Sequence, residues 1–511
     1  MEDWFYFPVI LSQIIMEGEI YSEMSRSEST LDKYTNVTDS LRSLPSADEL
    51  REMLAALDNS DAKAQIEILF DEDTFVELGA FTKRKFSEIS IADKTDELEG
   101  VICGYGAIND QLVYAFAQDG DRMKGAIDEM HAKKICALYD LAIKNGAPVV
   151  GIFNSAGADV YEGVSALSGY AKIMKAVSAA SGVVPQIALV SGNCIGSSAA
   201  IAAMFDFVVY TKDSSFYVNA PEFAGENAEE KSLITFEAID KYEGVSFVHR
   251  LLNYLPQNAA EGVVPLESTD NLNRMLGNID FEGDARRLIA AIADSGIYLE
   301  VNSDFAPVAS TAFTFIGGIK CGIVATSFAE NEGRLTAEAA KKIAKFVDFC
   351  DAFAVPLITL VDSNGTAMVA EGKDVSFAAD LAKLGLAYAK SENPKITVIV
   401  GKAIGAAYAL LGSKAIGADV TYALDSAEIG ALPSENAVAF LWNNRITLEE
   451  TREDIIDEWK ASLASPVAAA SLGEIDDIIN ITELRARICS ALMMLAAKGT
   501  ASFRRHVVLP Q

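Results

Sequence analysis

The sequence predicts an α/β protein built from two copies of one unit, and three observations support this fold class. The stretch 131–157 aligns with 339–365 without a gap, at an offset of 208 residues. The stretch 185–200 aligns with 394–409 at an offset of 209. In both copies, continuous apolar runs stand next to turns of small residues, a pattern typical of buried parallel strands. Two unrelated α/β domains of similar composition are the less favoured alternative.

Each half contains the same series of elements: helix, buried strand, small-residue turn, helix, strand, second small-residue turn, helix. The first helix is predicted from apolar residues at helical spacing, at Ile135, Leu138 and Ala142. Pro148 and Pro356 mark the entries to the strands that follow. Residues 257–300 lack these motifs and are predicted to join the halves, with loops at "LPQNAAEG" and "NIDFEGD".

We therefore expect four segments along the chain. The divisions are an N-terminal extension at 1–24, an N-terminal domain at 25–265, a linker at 266–299 and a C-terminal domain at 300–511. The apolar N-terminus carries Glu2 and Asp3 where a secretory signal has basic residues. It is interpreted as a packing segment, or as sequence upstream of a native start at Met24.

Composition excludes several functional classes. The chain of 511 residues has a formal net charge of −31, which disfavours binding to nucleic acid or to an anionic membrane. Residues 176–205 carry no charge, but Gly182, Pro185 and Gly192 interrupt them, so we expect no membrane insertion. Six widely spaced cysteines without a CxxC pair predict free thiols in a reducing compartment. We expect a cytoplasmic protein without a metal site.

Two special turns in each half are the candidate functional elements. The first is "NSAG" at 154–157 and "DSNG" at 362–365, and the second opens a helix in "NCIGSSAA" at 193–200 and "KAIGAAYA" at 402–409. Small residues at a helix start expose unpaired N–H groups and the positive end of the helix dipole. Converging amides of this kind can form an oxyanion hole. Such residues are more often structural, but their recurrence in both halves favours a functional role.

Two holes suggest two oxyanions, and the chemistry then needs no histidine. A thioester forms an enolate whose oxygen needs donors, and the ureido group of biotin becomes anionic when its carboxylate leaves. The freed biotin nitrogen can take the α-proton. The three histidines, His131, His249 and His506, lie outside all four turns. His131 stands at the head of a helix and is interpreted as a surface or capping residue.

At this level of detail the sequence resembles the carboxyltransferase subunits of biotin-dependent acyl-CoA carboxylases and decarboxylases, of the propionyl-CoA carboxylase β type. The resemblance covers residues 65–511 and is carried by stretches such as "LFDEDTFVELGAF", "HAKKICALYDLAIKNGAPVVGIFNSAGADVYEGV" and "PKITVIVGKAIGAAYALLGSKAIGAD". It implies two homologous ββα superhelical domains of the ClpP/crotonase type and a homohexamer of stacked trimers, with sites between N- and C-domains of paired subunits. The implied reaction moves a carboxyl group between N1-carboxybiotin and the α-carbon of an acyl-CoA of the acetyl/propionyl or malonyl/methylmalonyl type.

The resemblance also assigns site residues, position by position. It places the acyl-thioester hole on the amides of Ala156 and Gly157, and the biotin hole on those of Ala406 and Ala407. The residues implied to line the two sides are Ser155, Ala158, Gly196 and Ser197 for the acyl-CoA, and Gly365, Thr366, Gly405 and Tyr408 for biotin.

The chain departs from the family pattern at several of these positions. Ala156-Gly157 replaces a Gly-Gly pair, and Asp159 replaces an arginine, which weakens the expected phosphate or acyl contacts. Ala409 replaces a larger acidic or apolar side chain, and "GTAMV" replaces a "GFLPG"-like loop. The departures at Asp159 and Thr366 favour one alternative: a non-catalytic acyl-CoA-binding subunit. A biotin-independent crotonase-type hydratase or thioesterase is the other, and the duplicated second hole disfavours it.

The biotin is expected on a partner chain. No "MKM"-type biotinyl-lysine motif occurs, and "IMKAV" at 173–177 is interpreted as part of a core helix. The chain also lacks a glycine-rich loop of the ATP-grasp type, so biotin would be carboxylated elsewhere. The implied partners are a biotin carboxyl carrier protein and either a biotin carboxylase or membrane decarboxylase subunits.

Overall fold

The structure is a computed structural model in which residues 60–84, 99–219, 231–261, 263, 265–268, 270–277, 281–370, 372–446, 450–498 and 508 are described. The predicted N-terminal extension at 1–24 and His506 lie outside the described residues.

The first half forms a sheet of eight strands. The strands are β1 (Val76–Leu78), β2 (Val101–Ile108), β3 (Gln111–Gln118), β4 (Val149–Ser155), β5 (Gln186–Ile195), β6 (Phe207–Thr211), β7 (Ser215–Tyr217) and β8 (Phe236–Ala238). Their order in the sheet is β1-β2-β3-β4-β5-β6-β8, and β7 pairs with the end of β5. The helices are α1 (Asp61–Leu69), α2 (Glu129–Asn145), α3 (Val164–Ala180), α4 (Ser197–Ala203) and α5 (Lys241–Tyr254).

The second half repeats this sheet. Its strands are β9 (Tyr298–Val301), β10 (Ala309–Ile316), β11 (Ile319–Thr326), β12 (Leu357–Ser363), β13 (Lys395–Ile404), β14 (Val420–Leu424), β15 (Glu428–Gly430) and β16 (Asp477–Ile479). The order is β9-β10-β11-β12-β13-β14-β16, with β15 paired to the end of β13. The helices are α6 (Ala285–Ile292), α7 (Ala337–Ala352), α8 (Asp374–Lys390), α9 (Ala406–Leu410), α10 (Ser434–Ala437), α11 (Arg452–Trp459), α12 (Pro466–Ser471) and α13 (Leu484–Met494). The strand orders of the two halves match one for one, so the predicted duplicated α/β fold is confirmed.

The two halves share one apolar core. The ring of Phe207 in β6 lies 4.8 Å from that of Phe349 in α7 and 5.9 Å from that of Phe313 in β10, measured between centroids. All three side chains are buried. Edge-to-face contacts of this kind stabilise beyond the burial of area alone. Helix α7 of the second half is therefore packed against the sheet of the first half.

The segment 266–299 contains more regular structure than the predicted loops. Helix α6 within it buries Leu288, Ile289 and Ile292 in a core cluster with β11. Strand β9 begins at Tyr298 and pairs antiparallel with β10. The division of the chain at 265 and 300 remains a prediction.

Two apolar helices, α4 and α13, are largely covered within the chain. Helix α4 begins only at Ser197, because Cys194 and Ile195 belong to β5, and it buries Ile201 and Ala202. Helix α13 buries Ile488 and Leu492 but leaves Met493 and Met494 exposed. "IMKAV" lies in α3 with Ile173 and Val177 buried, as expected. Of the helices in the described part of the chain, none has the length and apolar character that a membrane crossing needs.

The shared core makes a stability prediction. Phe349→Ala should lower the free energy of unfolding by about 3–5 kcal/mol, because it empties a site that rings from both halves fill. The midpoint of denaturant-induced unfolding, followed by circular dichroism, measures this loss. Lys63→Ala, on an exposed face of α1, should change the same free energy by no more than about 0.5 kcal/mol. Equal effects of the two substitutions would contradict a core common to the halves.

Candidate active site

The two special turns of each half leave the sheet side by side. Ser155, at the end of β4, is the register partner of Cys194 in β5. At the equivalent place, Ser363 ends β12 beside Ala403 in β13. Both strand pairs shift register just before this point. The carboxyl ends of adjacent parallel strands are where open α/β sheets bind ligands, so each half has one candidate site at this edge.

A glycine turns the chain from the second strand into each short helix. Gly196 has φ of 64° and Gly405 has φ of 56°, and residues other than glycine rarely adopt this backbone region. Their own amides are bound, Gly196 N to Tyr217 O at 2.9 Å and Gly405 N to Gly430 O at 2.8 Å. The glycines therefore anchor the turn, and the following residues begin the helix.

The residues that follow these glycines begin the two short helices. Ser197 begins α4, and Ala406 and Ala407 begin α9. The first turn of an α-helix has no internal acceptors for its N–H groups. Ser197 and Ala406 are exposed, whereas Ala407 is fully buried. That the second turns present amide donors to a ligand remains a prediction.

The first turn differs from the prediction. The amide of Ala156 donates to Lys124 O at 2.9 Å, and that of Gly157 donates to Ser155 Oγ at 3.2 Å. The bond of Ala156 recurs in the second half, where Asn364 N donates to Glu332 O at 3.0 Å. A bond repeated at the same offset is a structural feature of the turn. The assignment of a free pair of donors to Ala156 and Gly157 is therefore corrected: Ala156 is occupied, and Gly157 is held by a longer, neutral bond.

The remaining predicted residues lie around these turns. Ser155 is buried, and the Tyr170 hydroxyl lies 3.3 Å from Ser198 Oγ on the same side. Burial raises the pKa of Tyr170, so its hydroxyl stays protonated at neutral pH. Ala158 and Thr366 occupy equivalent bridges, to Ile127 and Leu335 respectively. Their backbones tie each first turn to the segment before the long helix.

Tyr408 is hydrogen-bonded within the chain. Its hydroxyl donates to Glu474 Oε2 at 3.0 Å. Burial, together with the carboxylate of Glu474, raises the pKa of Tyr408, so it is a hydrogen-bonded phenol. The neighbouring Ala409 and, in the first turn of this half, Met368 are exposed. Exposed apolar side chains therefore flank the two turns of the second half.

Asp159 is not a free negative charge beside the first turn. Its carboxylate accepts from Arg84 Nη2 at 2.6 Å, and Arg84 Nε donates to Asp128 at 3.2 Å. All three side chains are nearly buried. The expected loss of a cationic contact is thus corrected: a guanidinium stands close to the turn, but it comes from Arg84. Residues 75 apart in sequence gave no signal of this pairing.

His131 is also corrected, because it is fully buried. Its Nδ1 lies 3.3 Å from Glu99 Oε1, and its Nε2 lies 3.3 Å from Gln118 Nε2. Its backbone N–H donates to Asp128 Oδ1 at 2.8 Å, so Asp128 caps α2, and His131 is neither the surface residue nor the capping residue that the sequence predicted. Gln118 in turn accepts from Asn154 N at 3.2 Å. The histidine belongs to a buried polar network that reaches Asn154 through Gln118.

Asn154 and Asp362 are positions that the sequence analysis missed. Each stands one residue before the serine that ends its strand, and each holds the second turn of its half. Asn154 Oδ1 accepts from Asn193 N at 3.1 Å, and Asp362 Oδ1 accepts from Lys402 N at 2.8 Å. The aligned repeat already paired these two residues, which was the available signal. Among the described residues there is no cluster of His, Cys, Asp and Glu that could hold a metal ion.

Comparison with known proteins identifies the family. The family model "Carboxyl transferase domain" matches residues 61–231 and 228–508. The chain belongs to the carboxyl transferase domain family. The resemblance inferred from the motifs is confirmed, and so is the duplicated crotonase-like fold.

Several curated relatives match nearly the whole chain. The propionyl-CoA carboxylase beta chain of Roseobacter denitrificans is 32% identical, over 88% of this chain and 93% of its own length. The methylmalonyl-CoA decarboxylase subunit alpha of Propionigenium modestum is 33% identical, over 86% of this chain and 90% of its own length. The solved structure of a transcarboxylase 12S hexamer with hydrolysed methylmalonyl-coenzyme A superposes with a TM-score of 0.82 at 29% identity, covering 97% of this chain and 99% of that chain.

The Arg84 pair makes a local prediction. Arg84→Gln should destabilise the turn by about 3–5 kcal/mol, because it leaves the buried carboxylates of Asp128 and Asp159 without their cation. Hydrogen exchange of the amides at 156–163 should rise, while exchange in the second-half turn at 364–370 stays unchanged. Asp159→Asn keeps a hydrogen bond to Arg84 and should give a smaller rise. Unchanged exchange at 156–163 in Arg84→Gln would show that the pair does not hold this turn.

Proposed function

We propose that this chain is a carboxyltransferase that moves a carboxyl group between N1-carboxybiotin on a separate carrier and the α-carbon of an acyl-CoA. The observation that carries the proposal is the recurrence, in a member of this family, of a helix-start turn with available amides in both halves. In this proposal, one of the two sites stabilises the oxyanion of the acyl-CoA, and the other stabilises that of biotin. The names of the relatives favour the propionyl-CoA and methylmalonyl-CoA type of substrate.

In the first half, the proposed thioester hole uses the amides of Ser197 and Gly157. The bond from Gly157 N to Ser155 Oγ is neutral and 3.2 Å long, so an oxyanion is the better acceptor for this amide. Ser155, Ala158 and Gly196 line this side. The amide of Ala156 is bound to Lys124 O and supports the turn. Ala156 is therefore not one of the two donors in this proposal, although the resemblance implied that it was.

In the second half, the proposed biotin hole uses the amides of Ala406 and Ala407 behind Gly405. Gly365, Thr366 and Tyr408 line it. A Cβ added to Gly365 would lie 3.7 Å from Ile404 O, so the first turn stands directly beside this hole. The residues fit a ureido group, because backbone donors at a helix start stabilise a developing negative charge without a side-chain base.

Biotin, when bound, would supply the carboxyl group and a basic nitrogen for the α-proton. The chain's own residues orient the two substrates and stabilise negative charge on their oxygens. Neither described histidine is placed as a base near the turns: His131 is buried behind β4, and buried His249 binds Leu69 O at 2.8 Å. Burial lowers the pKa of His249, so it stays neutral at physiological pH.

The proposed assembly is a homohexamer in the cytoplasm that meets a biotin carboxyl carrier protein, and either a biotin carboxylase or membrane decarboxylase subunits. The hexamer is supported by the transcarboxylase 12S, which superposes on nearly the whole chain and assembles as a hexamer. Large apolar side chains are exposed beside both first turns, and these are Val160, Val164, Met368 and Val375. Exposed apolar patches of this kind are typical of interfaces between subunits.

The occupied amide of Ala156 favours one second candidate, a non-catalytic subunit that binds acyl-CoA. A transfer assay separates the two. The purified chain should carboxylate free biotin from methylmalonyl-CoA or malonyl-CoA, and the acyl-CoA that reacts fastest identifies the substrate. Binding of acyl-CoA by calorimetry, without transfer to free biotin or to a biotinylated carrier, would support the non-catalytic role instead.

The two helix starts give a matched pair of substitutions. Ala406→Pro removes one donor at an exposed first helical position, where proline is tolerated, and should reduce transfer about 100- to 1000-fold. Decarboxylation of methylmalonyl-CoA without biotin should persist, because it uses only the first half. Ser197→Pro, at the equivalent position, should reduce both reactions.

Circular dichroism and oligomer mass must match the unsubstituted protein in both variants. If a well-folded Ala406→Pro protein transfers at the original rate, the assignment of the biotin hole to α9 is wrong. If Ser197→Pro reduces transfer but not decarboxylation, the acyl-CoA site and the biotin site have been assigned to the wrong halves.

A further inference from the structure

In each half, one polar side chain connects the first turn to the strand that leads into the second turn. We call this side chain, Asn154 in the first half and Asp362 in the second, the clasp. Asn154 and Asp362 stand at the same place in β4 and β12, and each side chain lies flat against a glycine of the neighbouring strand. A Cβ added to Gly192 would lie 2.3 Å from Asn154 Oδ1, and one added to Gly401 would lie 2.2 Å from Asp362 Oδ1. Neither glycine can carry a side chain while the clasp is present, so the clasp is built into the fold.

The clasp connects the two strand exits. Asn154 and Asp362 each precede the serine that ends the first strand. Their Oδ1 atoms accept from Asn193 N and Lys402 N, which lie three residues before Gly196 and Gly405 in the second strand. One side chain thus connects the first turn to the strand that leads into the donor helix. The bonded amides, Asn193 N and Lys402 N, lie only a few residues before Ser197 and Ala406 along the chain.

The two clasps differ in charge. Asn154 carries a neutral amide that does not titrate, whereas Asp362 is an ionisable carboxyl group with only 7% of its surface exposed. The backbone behind them is also held differently, since Asn154 N donates to Gln118 Oε1 at 3.2 Å and Asp362 N donates to Thr326 Oγ1 at 2.8 Å. Of the two clasps, that on the biotin side can therefore change its hydrogen bonding with pH.

Three charged groups surround Asp362. Lys402 supplies the amide and a nearby ammonium group, which itself lies 3.7 Å from Glu428 Oε2 in β15. Glu332, in the turn before α7, binds Asn364 Nδ2 at 2.6 Å, two residues beyond Asp362. Burial raises the pKa of Asp362 to about 6, and the bond and charge of Lys402 oppose this rise. The group titrates in a range where the enzyme can be assayed.

We propose that Asp362 is a positioning residue whose ionised form holds the donor helix of the biotin-side site, so that transfer depends on pH while the acyl-side site, clasped by Asn154, does not. The inference rests on the proposed function for its assignment of the halves. A bond to an ionised acceptor is about twice as strong as a neutral one, so protonation weakens the clasp. Donors of an oxyanion hole act only within about 2.7–3.1 Å, and a small displacement therefore reduces the rate.

The internal repeat supplies the matched variants. In the unsubstituted protein, transfer to biotin should fall about tenfold from pH 7.5 to pH 5, because only about a tenth of a carboxyl group with a pKa near 6 is ionised at the lower pH. Decarboxylation of methylmalonyl-CoA without biotin should change much less over this range. Dividing the rate of transfer by the rate of decarboxylation cancels those pH effects that act on the acyl-CoA, which both reactions use.

Asp362→Asn copies the first-half clasp into the second half. It should keep transfer at pH 7.5 within about fivefold and abolish the fall of the ratio toward pH 5, since the amide oxygen accepts in the same place without titrating. Asn154→Asp is the reverse exchange and should introduce a pH-dependent loss into the decarboxylation. A purely structural role for Asp362 would lower both rates of Asp362→Asn by a constant factor and leave the shape of the pH profile unchanged, which would overturn the proposal.

Hydrogen exchange tests the clasp without catalysis. After correction for intrinsic rates, protection of the amides at 402–407 should decrease between pH 7.5 and pH 5 in the unsubstituted protein and stay constant in Asp362→Asn. Protection at 193–198 should stay constant in both. Absence of transfer with this exchange pattern would reject the proposed function but support the clasp. Transfer with equal protection at both pH values would reject the clasp alone.

Discussion

The side-by-side exit of two parallel strands is the constraint on which both sites depend. Ser155 beside Cys194 and Ser363 beside Ala403 bring a strand end and a helix start to one edge of each sheet. Hydrogen bonding between the strands sets the spacing of these turns, so the backbone amides are placed by the sheet itself. Side chains at the turns need only be small. This arrangement allows a site built from backbone groups to persist while the residues around it change.

Duplication keeps this geometry and lets the two halves diverge in charge. The amide of Ala156 and the amide of Asn364 make the same bond to the preceding turn, at Lys124 and Glu332. Around that common frame, the first half places Arg84, Asp128 and Asp159 beneath its turn, and the second half places Asp362 and Lys402. The two halves therefore place different charged groups around equivalent turns.

The sequence predicted the fold well because the repeat is nearly free of gaps. An offset of 208 residues for β4 and β12, and of 209 for β5 and β13, forces the same order of elements in both halves. The site was predicted less completely. Arg84 pairs with Asp159 across a separation of 75 residues. His131 contacts Glu99, which lies just before β2 in the sequence. Pairings of this kind leave no trace in local spacing, so only the structure could reveal them.

The occupied amide of Ala156 shows why local motif reading also fails at short range. Small residues at a strand exit indicate that backbone groups are accessible, but they do not show which partner already binds each N–H. Lys124 has φ of 55°, and this left-handed conformation turns its carbonyl oxygen toward the strand exit. The donors at the helix starts escape this competition because the helix geometry itself withholds acceptors from them. A helix start is therefore a place where N–H groups lack internal acceptors, and in both halves the second turn leads into one.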